Sequence, residues 1–347
     1  MSHANLAIFV PHVGCPNRCS FCNQRTISGQ EEVPTPEQVR ALCEKGLLQL
    51  KRRARESQIA FFGGSFTAIP RPLMCALLEA AAPFVGPEGF SGIRISTRPD
   101  AIDEEILALL KRYGVTAVEL GAQSMDNEVL RRNGRGHTAE QVRQAAALIR
   151  SASLELGLQM MTGLPGDSPV GAWETARAFL DLRPDTVRIY PTVVLEGTDL
   201  AAWQRDGSYR AMPVEEAVPL CAGLMDLFEE QGVRVIRVGL HASETLQGAC
   251  IGGAYHPAFR ELCEGERYLR KILTQLQWQN IPRGAVQILV HPGERSKAVG
   301  QRRCNLARLA QLGYQAQVST DPHLPRGGVL VRQCEQTYRG QHSPLNP

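Results

Sequence analysis

Three cysteines in one short loop carry the most specific chemistry in this chain. Cys15, Cys19 and Cys22 stand in residues 13–24, VGCPNRCSFCNQ, with C-x3-C-x2-C spacing. Thiolates are soft ligands, and cysteines this closely spaced suit Zn or an iron–sulfur cluster. A structural Zn site is usually closed by four protein ligands. The loop offers three thiolates, with His12 the one nearby candidate for a fourth. Three thiolates on a four-iron cube leave one iron open to a further ligand. A redox dithiol is a third reading of the same residues.

The elements that must position this loop alternate between strand-like and helix-like patterns, the mark of an α/β protein with a parallel sheet. Residues 4–10 read as the first strand. Thr35 can cap a helix with Pro36 at its first position, running to about Arg55. Residues 58–62 (QIAFF) form the next strand, followed by Gly63, Gly64, Ser65, Phe66 and Thr67. Paired glycines after a strand allow a backbone to approach a ligand closely, and a tight turn explains them equally well. Further strands are expected at 92–97, 115–120, 156–161, 186–190 and 233–238. Residues 191–197 read as an irregular loop, and 241–271 as a loop feeding a helix. In a parallel barrel the working loops lie at the carboxyl ends of the strands. The cysteine loop, the Gly63-Gly64 turn, Thr97-Arg98, Gln123 and residues 163–167 all follow strands, so they are expected to converge on one mouth.

The totals bound the class. At 347 residues the chain can bury a sizeable core. No apolar run approaches the ~20 residues of a membrane helix, and no basic segment with an apolar core opens the chain. Ten cysteines without a secretory signal point to a reducing cytoplasm and to metal binding rather than disulfides. Residues 266–347 hold twelve Lys and Arg against four Asp and Glu, which leaves 26 against 31 before them. A basic segment on a mildly acidic body suggests an anionic partner, with nucleic acid the usual candidate; a solvated basic face is the plainer alternative.

The cysteine loop, including the aromatic Phe21 before its third cysteine, resembles the signature of the radical S-adenosylmethionine (SAM) enzymes. ELGAQSMDNEVLRRNGRGHT (119–138), STRPD (96–100), MMTGLPGD (160–167) and RIYPTVVLEGTDL (188–200) resemble the radical SAM half of the Elongator catalytic subunit family. The oxygen-independent coproporphyrinogen oxidases are looser relatives. The resemblance covers about residues 6–240. It implies a partial (βα)6 TIM-like barrel over residues 1–245, with 246–347 a small basic α/β extension. It also implies a [4Fe–4S] cluster on Cys15, Cys19 and Cys22, with SAM as the second cofactor. Phe21, Gly63, Gly64 and Ser65 would lie against SAM, the glycine stretch at its amino group. Gln123 and Arg135 match polar and basic residues near its ribose and carboxylate, and a guanidinium pairs well with a carboxylate. This chain has Ser65 where many relatives carry an acid, and Ser96 where both groups of relatives place Glu. A ribose contact would fall to Ser96, Thr97 or a water.

The implied chemistry is reductive cleavage of SAM to a 5′-deoxyadenosyl radical that abstracts hydrogen from a substrate, with an electron donor such as flavodoxin or ferredoxin. About a hundred residues follow Leu240, too few for the acetyltransferase domain of Elongator-type enzymes plus its connection, so acetyl-CoA chemistry is not expected. Among those residues Cys250, Tyr255 and His256 follow a barrel strand and are candidates to close the substrate pocket, as hydrogen donors or a proton shuttle. A buried thiol and a turn hydrogen bond explain Cys250 and His256 as well. Strands at 285–290, 315–318 and 328–331 and a basic helix between the first two complete the extension. Three functions follow: a radical SAM enzyme on tRNA, the same chemistry on a small molecule such as a tetrapyrrole, or a non-catalytic binding protein with a structural metal loop.

Overall fold

The computed structural model describes residues 4–11, 15, 19–23, 26–27, 29 and 32–334. The chain divides into two compact units, Met1–Phe259 and Arg260–Pro347. The sequence reading put its boundary after residue 245.

The first unit is built on seven strands: β1 (Ala4–Phe9), β2 (Ser57–Phe62), β3 (Ile93–Thr97), β4 (Val115–Gln123), β5 (Glu155–Thr162), β6 (Thr186–Pro191) and, after a short β7 (Val193–Leu195), β8 (Arg234–Val238). They pair in the order β1-β2-β3-β4-β5-β6-β8, every pair parallel. Parallel neighbours require crossovers, and helices supply them. These are α1 (Pro36–Leu50), α2 (Arg71–Ala81), α3 (Glu104–Arg112), α4 (Asn127–Arg132), α5 (Ala139–Ser151), α6 (Pro169–Asp181), α7 (Asp199–Arg205) and α8 (Val214–Glu230). The sheet is a curled half-barrel whose edges are β1 and β8, and the βα loops gather at its carboxyl end, as expected.

Local chemistry sets the helix starts. Thr35 and Gln38 form a reciprocal capping box at α1, and Thr138 and Gln141 do the same at α5. Asp103 and Ser168 cap α3 and α6. The first helix stops at Leu50 rather than near Arg55. Lys51 takes φ 51°, breaking the helical path, and residues Lys51–Glu56 continue as a tighter 3-10 turn.

Two further departures lie near the mouth. The stretch expected as irregular loop contains β7, which pairs antiparallel with β9 (Cys250–Gly253), and α9 (Glu244–Ala249) precedes β9. Val193, Val194 and Leu195 are buried, so the three-residue strand forms because it has an apolar face to cover.

The half-barrel interior carries a layer of paired charge. Arg94 is fully buried and donates to Gln58 Oε1 (2.8 Å), Glu119 Oε1 (3.1 Å) and Glu155 Oε1 (2.7 Å). Glu119 is also gripped by Arg188 through Nε (2.6 Å) and Nη2 (2.9 Å), and accepts from Gln159 Nε2 (2.9 Å). Burial pushes the Glu119 pKa up, but Arg188 and Arg94 more than reverse this and hold it below the usual carboxylate range.

In the second unit α10 (Phe259–Trp278) leads to a three-stranded sheet, with β10 (Gly284–Val290) between parallel β11 (Tyr314–Thr320) and antiparallel β12 (Val329–Gln333). Between β10 and β11 run α11 (Arg295–Val299) and α12 (Cys304–Gln311). Val286, Ile288 and Val290 alternate along β10 and pack with Tyr268, Ile272 and Leu309 into their own core. This agrees with the expected small α/β extension. Among the described residues no helix is long and apolar enough to cross a membrane.

Candidate active site

All three cysteines line one cavity of about 1040 Å³ in the first unit. That is at the top of the range for a single small-ligand pocket, roughly 300–1,000 Å³. The cysteine loop is held by two anchors. Ser20 donates its Oγ to Asn133 Oδ1 (2.8 Å) and its N–H to Asn133 O (3.2 Å), while its own carbonyl accepts from Leu200 N (3.0 Å). Asn133 is in turn fixed by donating Nδ2 to Val129 O (2.8 Å) and Pro165 O (3.0 Å). The loop after β1 is therefore tied to the segments after β4, β5 and β7. Neither Ser20 nor Asn133 stood out in the sequence, although both lie inside the quoted motifs.

Cys15 feels partial burial and the neighbouring Cys19, which raise its pKa, against Arg98 and Arg135, which lower it; the net direction is up. A metal would reverse that balance, because a coordinating thiol is deprotonated outright. Among the described residues no three His, Cys, Asp or Glu side chains converge closely enough to hold a single metal ion. The fit to a cluster rests on the donor set, three soft thiols on one cavity wall, and on the groups around it.

Arg135 is the best placed of those groups. It donates Nη1 to Cys19 Sγ (3.1 Å) and Nη2 to Gly121 O, and its guanidinium stands 5.9 Å from the Phe21 ring centroid. Its Nε is buried without a partner, and so is Gln123 Oε1. Gln123 sits at φ 68°, beside an irregularity in the β4–β5 pairing. Unmatched buried polar atoms and a non-glycine residue at positive φ are costly, and both concentrate at ligand sites. Gly63 (φ 86°) and Gly64 (φ 59°) line the same cavity after β2, in backbone conformations that suit glycine. These residues fit a second cofactor with a carboxylate and a polar ring system.

The serine and threonine candidates are engaged elsewhere. Ser65 is fully buried; its Oγ bonds Thr97 Oγ1 (2.9 Å) and accepts from Arg98 N (3.1 Å). Thr97 Oγ1 also meets Thr67 Oγ1 (2.6 Å). Ser96 faces the cavity, but its Oγ accepts from Gln159 Nε2 (3.1 Å) and reaches Glu119 at 3.5 Å. The Glu119 carboxylate, one strand over from Ser96, is already bound by two arginines.

Arg98, expected at the mouth but given no cofactor role in the sequence, lines the cavity and is clasped by Asp100 through Nε (2.8 Å) and Nη2 (2.5 Å). Cys250, Tyr255 and His256 lie outside the lining. Cys250 Sγ points to Gly252 O (3.6 Å), and His256 Nδ1 accepts from Ala258 N (3.0 Å). The Tyr255 hydroxyl is buried and unpartnered, with the side chain packed on the apolar cluster around Val193, Leu195 and Leu246. Burial raises the Cys250 pKa. His12 lies outside the described residues.

The radical SAM superfamily profile matches residues 9–179, and the radical SAM C-terminal domain profile matches residues 184–271. The chain belongs to the radical SAM superfamily. A "tRNA uridine(34) acetyltransferase" from Dehalococcoides mccartyi is 28% identical over 266 residues, covering 67% of this chain and 58% of that protein. "Elongator complex protein 3" from Homo sapiens is 32% identical over 177 residues, covering 49% of this chain and 31% of its own length. The chain thus spans well under two thirds of these relatives. The solved structure of the archaeal Methanocaldococcus infernus Elp3 with an N-terminal deletion shares the fold, with a TM-score of 0.63 at 22% identity, over 82% of this chain and 66% of that one.

Proposed function

We propose that the cavity is the catalytic chamber of a radical SAM enzyme acting on tRNA. The observation that carries the reading is the meeting of three thiols with the unmatched Arg135 Nε and Gln123 Oε1 on one cavity wall. Cys15, Cys19 and Cys22 would hold a [4Fe–4S] cluster. The Gly63-Gly64 backbone would receive the SAM amino group, Arg135 its carboxylate and Gln123 its ribose. When bound, this pair supplies one-electron reductive cleavage of a sulfonium and, with it, hydrogen-atom abstraction from the substrate. The chain's own part is positional. Ser20 and Asn133 hold the cysteine loop against the barrel. Arg135 places a cation beside Cys19 and keeps it there by stacking toward Phe21. Val193 and Leu195 of β7 line the chamber with apolar surface, which limits water where reactive species form.

The tRNA reading is supported by the names of the relatives and by the basic second unit, where Arg295, Arg302 and Arg303 are exposed around the starts of α11 and α12 and Arg308 is exposed in the last turn of α12. An external reductant such as flavodoxin or ferredoxin completes the scheme. The test is binding of bulk tRNA to the reconstituted protein across a salt series. A log–log slope of several units is expected, since each neutralised phosphate releases counterions. Affinity absent at low salt, or independent of salt, would return the chemistry to a small-molecule substrate.

A further inference from the structure

The second unit carries a surface that the chamber chemistry does not use. The family profiles reach no further than residue 271, and β10 begins at Gly284. From 295 to 320 the chain holds Arg295, Lys297, Arg302, Arg303 and Arg308, and no Asp or Glu. Lys297 is already paired, with Glu264 (3.4 Å) and Glu294 (3.2 Å), and Arg308 donates to Gln311 Oε1 (3.1 Å). Arg302 and Arg303 are exposed, and among the described residues neither guanidinium has a hydrogen-bond or ion-pair partner.

Exposed arginines are common on any protein. These two are set apart by the turn that carries them, Gly300-Gln301-Arg302-Arg303, which joins α11 to α12. Seven non-glycine residues among those described have positive φ, and Arg302 (50°) and Arg303 (64°) are the one adjacent pair. The turn is firmly built. Arg303 donates its N–H to Gly300 O (3.0 Å). Gly300 takes φ 76°, and a Cβ there would stand 2.6 Å from Cys304 Sγ and 2.8 Å from Asn305 Cγ, so glycine is required. Asn305 is buried, and its Nδ2 donates to Lys297 O (3.2 Å) and Ala298 O (3.2 Å) of α11 and to Gly265 O (2.9 Å) of α10. One side chain therefore ties together the helices on either side of the turn and the long helix before them. Cations on a fixed turn lose less freedom on binding than cations on a loose tail.

Around the turn the chain runs strand, helix, turn, helix, strand, with β10 and β11 parallel neighbours in one small sheet. A glycine turn between two helices in such a unit is the device by which KH modules clamp the backbone of about four nucleotides. This turn departs from the G-x-x-G form at its last position. Arg303 stands there in a left-handed conformation that glycine adopts readily, so a second cation replaces bare backbone.

We propose that the turn at residues 300–303 is a nucleic-acid clamp, and that its partner is a single-stranded stretch of RNA whose phosphates are held by Arg302 and Arg303. Guanidinium is always charged and pairs with phosphate oxygens in a fixed fork. Val299 and Leu306, on either side of the turn, are partly exposed and offer apolar surface to a base. The proposal goes beyond the radical SAM reading by giving RNA a named surface outside the chamber. It rests on that reading only for calling the strand part of a tRNA.

The experiment is fluorescence anisotropy of the full-length, cluster-reconstituted protein with a labelled single-stranded RNA dodecamer of randomised sequence, and with an RNA duplex of the same length, across a salt series. Saturable binding is expected, tighter for the single strand than for the duplex. The pair Arg302→Gln and Arg303→Gln is expected to weaken it about tenfold or more at low salt, and to flatten the log–log salt slope by about 0.7 per arginine. The pair Arg302→Lys and Arg303→Lys keeps both charges and is expected to keep the wild-type slope. Arg112→Gln with Arg177→Gln removes the same charge from exposed helices of the first unit and is expected to change affinity less than about threefold. The denaturant midpoint of each variant, expected to match the wild type, shows that a loss of binding is not a loss of fold. No saturable binding of the single strand, equal affinity for the duplex, wild-type affinity in the Arg302 and Arg303 glutamine pair, or an equal loss in both glutamine pairs overturns the proposal. The assay needs neither SAM nor reductant. A protein that binds the single strand through these arginines yet never cleaves SAM contradicts only the catalytic reading, and one that cleaves SAM but binds RNA equally well without them contradicts only this one.

Discussion

The half-barrel holds two polar regions that obey opposite rules. In the interior layer, Arg94, Glu119, Arg188, Gln159 and Glu155 satisfy one another, and Arg94 makes four side-chain hydrogen bonds with none of its surface exposed. At the cysteine end, Arg135 Nε, Gln123 Oε1 and His137 Nδ1 are buried with nothing to bond. Buried polar groups are nearly always paired, so a satisfied network reads as architecture and an unsatisfied one as a site awaiting its ligand. Both regions are rich in arginine. The difference lies in whether the protein supplies the partner.

The sharpest way to break that comparison is to damage the satisfied layer. Glu119→Ala leaves Arg94 and Arg188 without their shared carboxylate. The expected loss is about 3–5 kcal/mol, the usual cost of stranding a buried charge, read as a lower denaturant midpoint. A change under about 1 kcal/mol would mean that the layer is not structural.

His137 tests the unsatisfied end through pH. Burial first, then Arg135, lower its pKa to about 4. With a folded pKa below the ordinary 6.5, the unfolded chain binds the proton first. His137 therefore costs stability as pH falls from about 6.5 to 4, on the order of 2 kcal/mol after allowing for solvent access. Asp167 works in the opposite sense. Burial raises its pKa to about 6, so the folded state takes up its proton first and gains stability as pH falls below that value. The two contributions offset each other in the wild type. His137→Gln is expected to gain stability between pH 6 and 4, and Asp167→Asn to lose it, measured by chemical denaturation at each pH. Identical profiles for the two variants would contradict the assignment.

Arg135→Lys should separate binding from folding. SAM affinity is expected to fall about tenfold with stability changed by less than about 1 kcal/mol, because lysine loses the fork that matches a carboxylate. An equal loss of stability would make Arg135 a brace for the loop rather than a ligand-facing group. The smallest effect belongs to Cys250→Ala. With its sulfur outside the cavity lining, formation of 5′-deoxyadenosine should change less than twofold.

Much of the fold was legible because parallel strands buried on both faces read as apolar runs between helical segments, as in QIAFF and TVRIY. The capping residues Thr35 and Thr138 carry their own local signal. The β7–β9 pair was not legible, because Val193 and Gly253 meet across about sixty residues and neither stretch is long enough to show a period. The interior charge layer was hidden for a different reason. Arg94 and Ser96 alternate with isoleucines along β3, which reads as a solvent-facing edge until the neighbouring strands place Gln58, Glu119 and Gln159 opposite them. The cysteines were readable from spacing alone. Gln123 was placed at the mouth by its position after a strand, while its cofactor role and all of Arg135's came only from resemblance, since an orphaned atom is a property of the packed structure. Ser65 and Thr97 were expected near the cofactor, and packing spends their hydroxyls on each other.

The central claim is that this chamber cleaves SAM. The direct measurement is anaerobic reconstitution with iron and sulfide, reduction with dithionite, addition of SAM, and assay of 5′-deoxyadenosine in wild type and Cys19→Ala. Product from the wild type and none from the variant is the predicted result. A protein that takes up Zn instead, forms no four-iron cluster and leaves SAM intact would contradict it.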